Sequence, residues 1–231
     1  MHEHGETLKV ILGTLDELGY AYKVDVLNAK YFGLPQNRER LFIISWDKQQ
    51  LPVTDFIFPY GIDSNGKHIF NKEEIKEHAM STCLSDIFEP EQTMDTSYTI
   101  SDRMWIGHQE RKKRNRANGK GFGYSLFTPN APYCSTISAR YWKDGSEILI
   151  DQSEKNLNPR KLTPTEAGRL QGYNIEGLGW ENPDTSVLTH QQMPFKIVVS
   201  KKEAYQQFGN SVALPVIRAL ATEIQKQLLN K

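Results

Sequence analysis

The segment YFGLPQNRERLFIIS, residues 31–45, sets Gln36, Arg38 and Arg40 directly ahead of the apolar run Leu41 to Ile44. In extended backbone alternate side chains share a face. Two guanidiniums at the start of a strand can therefore present planar, charge-assisted donors to one small anionic target, with Glu39 pointing the other way. The plainer alternative is a set of exposed ion pairs where a strand leaves the surface. A second feature is QERKKRNRANGKGFGYS, residues 109–125, where Arg111, Lys112, Lys113, Arg114, Arg116 and Lys120 fall within ten positions. The chain carries 28 basic and 28 acidic side chains and no net charge, so the asymmetry is local. Such a cluster neutralises phosphates and gives salt-dependent affinity, and the glycines of GKGFGY let a loop approach a duplex closely. A solvated charge run is the alternative. GKGFGY is a poor nucleotide phosphate loop, since no strand precedes it and no Gly-Lys-Ser/Thr ending follows. Third, Gly209, Asn210 and Ser211 in QQFGNSVALP can offer side-chain and backbone groups to a small ligand at a helix N-terminus, or simply cap the final helix. Cys83 and Cys134 stand far apart without metal-type spacing and read as free thiols, so neither a metal site nor a disulfide framework is expected.

The elements that must position these residues are legible at the two ends. A chain of 231 residues with 38% apolar content can bury a real core. No run reaches membrane-span length and the N-terminus lacks signal-peptide character, so a cytoplasmic location and no membrane partner are expected. Leu8, Ile11, Leu12, Leu15 and Leu18 recur at helical spacing and Gly19 is placed to stop that helix. AYKVDVLNA alternates as a strand does. LFIISW is a short continuous apolar run of the type seen in sheets covered on both faces. From about Leu51 to Asn158 the texture turns irregular, with short strand-like runs such as EILI and a brief helical stretch KEEIKEHAM. Regular signals return near residue 160. Thr163, Pro164 and Glu166 form a capping box with proline at the first helical position, and Ser200 and Glu203 form a second box. Val216, Leu220, Ile224 and Leu228 then line one face of a last helix.

Three segments in this order resemble the bacterial DNA (cytosine-5-)-methyltransferase family. PQNRER is similar to its motif VIII through Gln36, Arg38 and Arg40. RKLTPTEAGRLQGY is similar to motif IX through Arg160, Leu162, Thr163, Glu166, Arg169, Gln171 and Gly172. QQFGNSVALP is similar to motif X through Gly209, Asn210, Ser211, Val212 and Pro215. The resemblance covers essentially the whole chain. It implies an α/β fold: a C-terminal fragment of a Rossmann-like, S-adenosylmethionine-dependent methyltransferase domain (residues 1–50), a strand-and-loop-rich target-recognition domain (51–158), and the helices of motifs IX and X (159–231), the last returning to the catalytic domain.

The same resemblance implies roles. In the family's chemistry a thiolate adds to C6 of a cytosine swung out of the duplex, and C5 takes a methyl group from S-adenosylmethionine. Arg38 and Arg40 would hold the extruded base, its phosphate or the loop of the nucleophile, with Gln36 bracing them. Asn210, Ser211 and Val212 would line the cofactor, while motif IX would be mainly architectural, its Arg169 orienting the middle domain. The basic run and Tyr124 would meet double-stranded DNA. STISARYWKDG resembles the recurring Thr-Leu-x-Ala element, which makes Thr136, Arg140, Tyr141 and Lys143 candidates for base or backbone contacts. The glycine-rich texture is similar to members acting on CCNGG or CCGG sites. The family's Phe-x-Gly-x-Gly, Pro-Cys-Gln and Glu-Asn-Val segments have no match in this sequence. The expectation is therefore a part of a cytosine-5 methyltransferase that is inactive and binds S-adenosylmethionine weakly or not at all by itself, completed by an N-terminal half. A catalytically inactive, stand-alone DNA-binding module and a subunit of a restriction or repair enzyme remain open alternatives.

Overall fold

The computed structural model describes residues 5–51, 55–174 and 195–229. Helix α1 (Glu6–Glu17) stops where the sequence places its stop. Gly19 adopts φ 79°, which a residue with a side chain resists, and its N–H donates to Asp16 O at 3.0 Å. Strands β1 (Tyr20–Asn28) and β2 (Glu39–Asp47) pair antiparallel, in a register running from Tyr20 opposite Asp47 to Asn28 opposite Glu39.

Opposite residues share a face in that register. Ala21, Leu27, Phe42, Ile44 and Trp46 pack into a core with Phe56, Phe58 and the last helix. Val24, Val26, Leu41 and Ile43 lie on the other face, where Val26 is 48% and Leu41 47% exposed. The run is of the type covered on both faces in a full sheet; among the described residues its inner face is covered, while on the outer face Val26 and Leu41 are exposed and Val24 and Ile43 half-buried. Both faces are apolar in composition, which is why the run reads as continuous.

The middle of the chain carries short pieces: a ribbon of β3 (Gly61–Ile62) and β4 (His68–Ile69), then α2 (Ile75–His78). The basic run is not a loop. It forms the second half of a sixteen-residue helix, α3 (Asp102–Ala117), with the Ser101 hydroxyl accepting from Met104 N–H at 3.3 Å and Asp102 in its first turn. Charges all round this helix erase the apolar periodicity by which helices are recognised in sequence. Strands β5 (Leu126–Phe127), β6 (Leu149–Ile150) and β7 (Arg160–Lys161) make a small sheet, β5–β6 parallel and β6–β7 antiparallel.

Among the described residues the α-helices that follow are α4 (Pro164–Arg169), α5 (Lys201–Asn210) and α6 (Leu214–Ile224), with a π-helical turn, Gln225–Leu229, after the last. The first two begin at the capping boxes of Thr163 with Glu166 and Ser200 with Glu203. Two cores result. One gathers Leu84, Ile137, Tyr141, Ile148, Leu162 and Phe208 from the middle segment, α4 and α5. The other joins the β1–β2 hairpin to Val216, Leu220 and Leu228 at the C-terminal end, with Ile224 packed alongside. No helix among the described residues is long and apolar enough to cross a membrane.

Candidate active site and nucleic-acid interface

Between β1 and β2 a 3₁₀ helix, Ala29–Phe32, leads into an irregular stretch, 33–38, whose backbone must find partners elsewhere. It finds them in the segment around Cys134. Cys134 N–H donates to Pro35 O and Asn37 N–H donates to Cys134 O, both at 2.9 Å, and the Thr136 hydroxyl donates to Asn37 O at 2.8 Å. The Gln36 side chain extends this pairing inward. Its Oε1 accepts from Ile137 N–H at 3.0 Å, while its Nε2 donates to Leu170 O at 2.9 Å and reaches Gln171 Oε1 at 3.3 Å. Gln171 passes the connection on, its Nε2 donating to Phe208 O at 2.8 Å. A fully buried amide with both ends bonded thus ties the start of β2, the recognition-like segment, α4 and α5 together.

Arg38 completes this node. It is 5% exposed, and its Nη2 donates to Ser211 O at 2.7 Å and Gly209 O at 3.4 Å, with Nη1 reaching Ile137 O at 3.4 Å. Burial, then the neighbouring charge of Arg40, pushes its guanidinium down to about 10. Its backbone N–H is held by Asn28 Oδ1 at 3.2 Å, and Asn28 Nδ2 also donates to Asn37 Oδ1 at 2.6 Å. Asn28 escaped the sequence reading; an amide in LNAK, ten positions before the arginine, was the available signal. Arg40 differs: its guanidinium is exposed, with Nη1 donating to the carbonyl of Glu39 at 2.6 Å. The two arginines flank one strand start, one turned into the protein and one open to solvent.

A backbone contact sets how closely α5 approaches this node. A Cβ on Gly209 would lie 2.3 Å from Ala139 N and from Ser138 C, so no side chain fits there. The next residues do not cap α6 as the sequence suggested. Asn210 is the last residue of α5 and Ser211 its C-cap, the Ser211 hydroxyl donating to Phe208 O at 2.8 Å, whereas Ala213 stands at the N-cap of α6. Asn210 and Val212 are exposed, the latter 48%, and the Ser211 hydroxyl and carbonyl are both engaged.

Residues 160–169 build a buried ionic support. Arg160 makes a two-pronged contact with Glu166 at 2.7 and 3.0 Å, and Glu166 also accepts from the N–H groups of Glu89 at 3.1 Å and Thr163 at 2.9 Å. Arg169 donates to Ile87 O at 3.2 Å and Phe88 O at 3.1 Å, which is how it fixes the middle segment.

Of the basic run, the structure divides what the sequence grouped. Arg111 turns inward, bonding Gly123 O at 2.7 Å, Asp144 at 2.9 Å and His108 Nδ1 at 3.0 Å. Burial pushes the His108 imidazole down. Lys112 lies 4.1 Å over the Tyr124 ring, and Asn115 Nδ2 donates to Phe122 O. Lys113, Arg114, Arg116 and Lys120 are exposed. Arg111 is therefore corrected from a phosphate contact to the brace that holds the following loop against α3.

Tyr141 is corrected too. It is 0% exposed, its hydroxyl donates to Ile148 O at 2.6 Å and accepts from Leu162 N–H at 2.8 Å, and burial drives its phenol well up. A side chain so enclosed has nothing to offer DNA. Thr136 spends its hydroxyl on Asn37, while Arg140 and Lys143 are exposed. The Cys134 thiol is buried and pushed up by burial, unlike a nucleophile, which needs an accessible thiolate.

Comparison with known proteins agrees with this arrangement. The family model for C-5 cytosine-specific DNA methylase matches residues 1–226. Type II methyltransferase M.NlaX of Neisseria lactamica is 45% identical over 227 residues, 98% of this chain and 59% of that protein. Type II methyltransferase M.SsoII of Shigella sonnei is 44% identical over 224 residues, 96% of this chain and 49% of that one. The chain thus spans about half the length of these curated relatives. In fold it is similar to the S. pombe Dnmt2 methyltransferase, with a TM-score of 0.64 at 18% identity over 99% of this chain and 65% of the other. The match over nearly all of the sequence, with the polar node at its centre, makes this chain a member of the C-5 cytosine-specific DNA methylase family.

Proposed function

We propose that this chain is the C-terminal, target-recognising part of a DNA cytosine-5 methyltransferase of a restriction-modification system, supplying DNA contacts and one side of the active site and of the cofactor pocket. The observation that carries the reading is the node itself. Gln36 and Arg38 lock motif VIII, IX and X residues to the segment beginning at Thr136, so the exposed Arg40 is held at a fixed place beside the recognition part. In this reading residues 1–50, 51–158 and 159–231 are the catalytic fragment, the recognition domain and the closing helices.

Within it Gln36 and Arg38 position and Arg40 touches the substrate. An extruded cytosine with its phosphate is a planar, partly anionic target, and a solvent-facing guanidinium carried on a strand suits it. S-adenosylmethionine, when bound, supplies the methyl group. The exposed Asn210 amide and Val212 side chain fit one wall of its site, whereas the committed Ser211 hydroxyl does not. The open outer face of the β1–β2 hairpin is where an N-terminal half carrying the Pro-Cys-Gln nucleophile would pack. Methyl transfer to plasmid DNA with bisulfite mapping, run with and without such a half, tests the proposal: methylation only with both parts is expected, and methylation by this chain alone, or none with both, would overturn it.

A further inference from the structure

We propose that the hollow between β7, Trp142 and the start of α5 is a phosphate-binding site apart from the candidate active site. The hollow measures about 270 Å³ and is lined chiefly by Ser97, Tyr98, Trp142, Lys161, Lys201 and Lys202. Lys202 stands 4.8 Å and Lys143 5.6 Å from the centroid of the Trp142 ring, and Lys201 stands 4.8 Å from that of Tyr98. Asp95, 3.7 Å from Lys201, is the one carboxylate bonded into this group among the described residues. Asp144, whose charge reaches Lys161, is already held by Arg111 at 2.9 Å. Glu203, whose carboxylate feels the charge of Lys202, is held by Ser200, so among the described residues four lysines face three carboxylates, of which Asp144 is already paired with Arg111.

Lys161 is built into this position. Gly145 sits at φ 65°, and a Cβ there would lie 2.6 Å from Lys161 Cγ, so the glycine lets the lysine stem cross directly over the backbone. The ammonium is half-buried, and burial together with the facing charge of Lys201 pushes it down despite the pull of Asp144. Cations brought together at this density repel one another until an anion joins them. Ammonium groups serve phosphate as point charges, and the indole and phenol walls suit the sugar or base beside it.

Two sources share this chemistry: a backbone phosphate of bound duplex, or a free phosphate-bearing small molecule. Asp144 links Lys161 of the hollow to Arg111, midway along α3, so a backbone crossing the exposed cations of that helix can continue into it. The duplex source rests on the DNA reading above, and the site itself does not.

Lys161→Gln with Lys202→Gln, and Lys202→Gln alone as a surface change that spares the fold, are compared with the parent chain in two measurements. In the first, duplex affinity is followed across NaCl concentration; loss of one to two phosphate contacts lowers the slope of log K against log salt by roughly 0.9 per contact. In the second, pyrophosphate is titrated while tryptophan fluorescence is recorded, with Trp142→Phe assigning the signal. A lower salt slope together with a lost pyrophosphate response supports the site and its duplex source. A lost pyrophosphate response with an unchanged slope supports the site and a free phosphate ligand. Unchanged slope and unchanged pyrophosphate response in both variants would overturn it. A parent chain that binds no duplex removes the DNA reading, while the pyrophosphate titration still judges the hollow.

Discussion

Arg40 and Arg38 are two positions apart and have opposite environments, which makes their substitutions separable. In the completed enzyme, Arg40→Ala is expected to lower the single-turnover methylation rate far more than the affinity for intact duplex, because its contact forms only after the base leaves the stack. Arg40→Lys should rescue poorly, since an ammonium lacks the planar fork. Equal losses in rate and affinity, or full activity with lysine, would return Arg40 to a structural role. Tyr141 gives the converse expectation. Tyr141→Phe leaves Ile148 O and Leu162 N–H without their side-chain partner and should lower stability by about 1–3 kcal/mol in urea unfolding, with duplex affinity unchanged. At this scale the family was legible because residue type, spacing and order coincide in three segments. The burial of Tyr141 was not, because nothing in ISARYW tells which neighbours turn inward; that is decided by Ile148 and Leu162, 7 and 21 positions further on.

Helix α3 separates two kinds of cation on one element. Replacing Lys113, Arg114 and Arg116 together with Ala should weaken duplex binding for every sequence and flatten its salt dependence, with the thermal midpoint retained. Arg111→Ala should instead lower the midpoint, because the loop carbonyl of Gly123 and the carboxylate of Asp144 lose their donor. Thermal melts and binding isotherms on both variants decide between these outcomes. A second element contact responds to acid. Burial raises the Glu223 carboxyl, but hydrogen bonds from Gln227 and His68 and the charges of His68 and Lys226 outweigh it and hold the group below its usual 4.5. A depressed folded value means the contribution is present above about pH 4.5 and is lost as pH falls through the folded value. Glu223→Gln, which cuts the contact between α6 and His68 at the β3–β4 ribbon, should therefore flatten the stability-versus-pH curve on its acid side. The starts of α4 and α5 and the Gly19 stop were readable because caps are local patterns. The two-residue pairings of β5, β6 and β7 were not, because each depends on partners outside its own local stretch.

Across the molecule, the outer face of the hairpin and α1 share one property: apolar side chains with little to cover them. Val10 is 68%, Leu18 67% and Leu41 47% exposed. Under the proposed function Val26→Lys with Leu41→Lys should abolish co-purification with an N-terminal methyltransferase half while leaving duplex binding by this chain intact; retained co-purification would place the contact elsewhere. The polar node has a different consequence, in time rather than in space. Gln36 and Leu170 are 134 positions apart, and Arg38 and Ser211 are 173 apart. At about 5–20 residues per second, roughly 9–35 s of synthesis separate Arg38 from its carbonyl partner. Throughout that interval the Arg38 guanidinium lacks its Ser211 carbonyl and the hairpin lacks the α6 residues that cover its inner face, whereas Gln36 meets Ile137 and Leu170 earlier. A slow step that waits for α5 and α6, and a nascent chain that needs shielding until then, follow from where the Arg38 side chain ends.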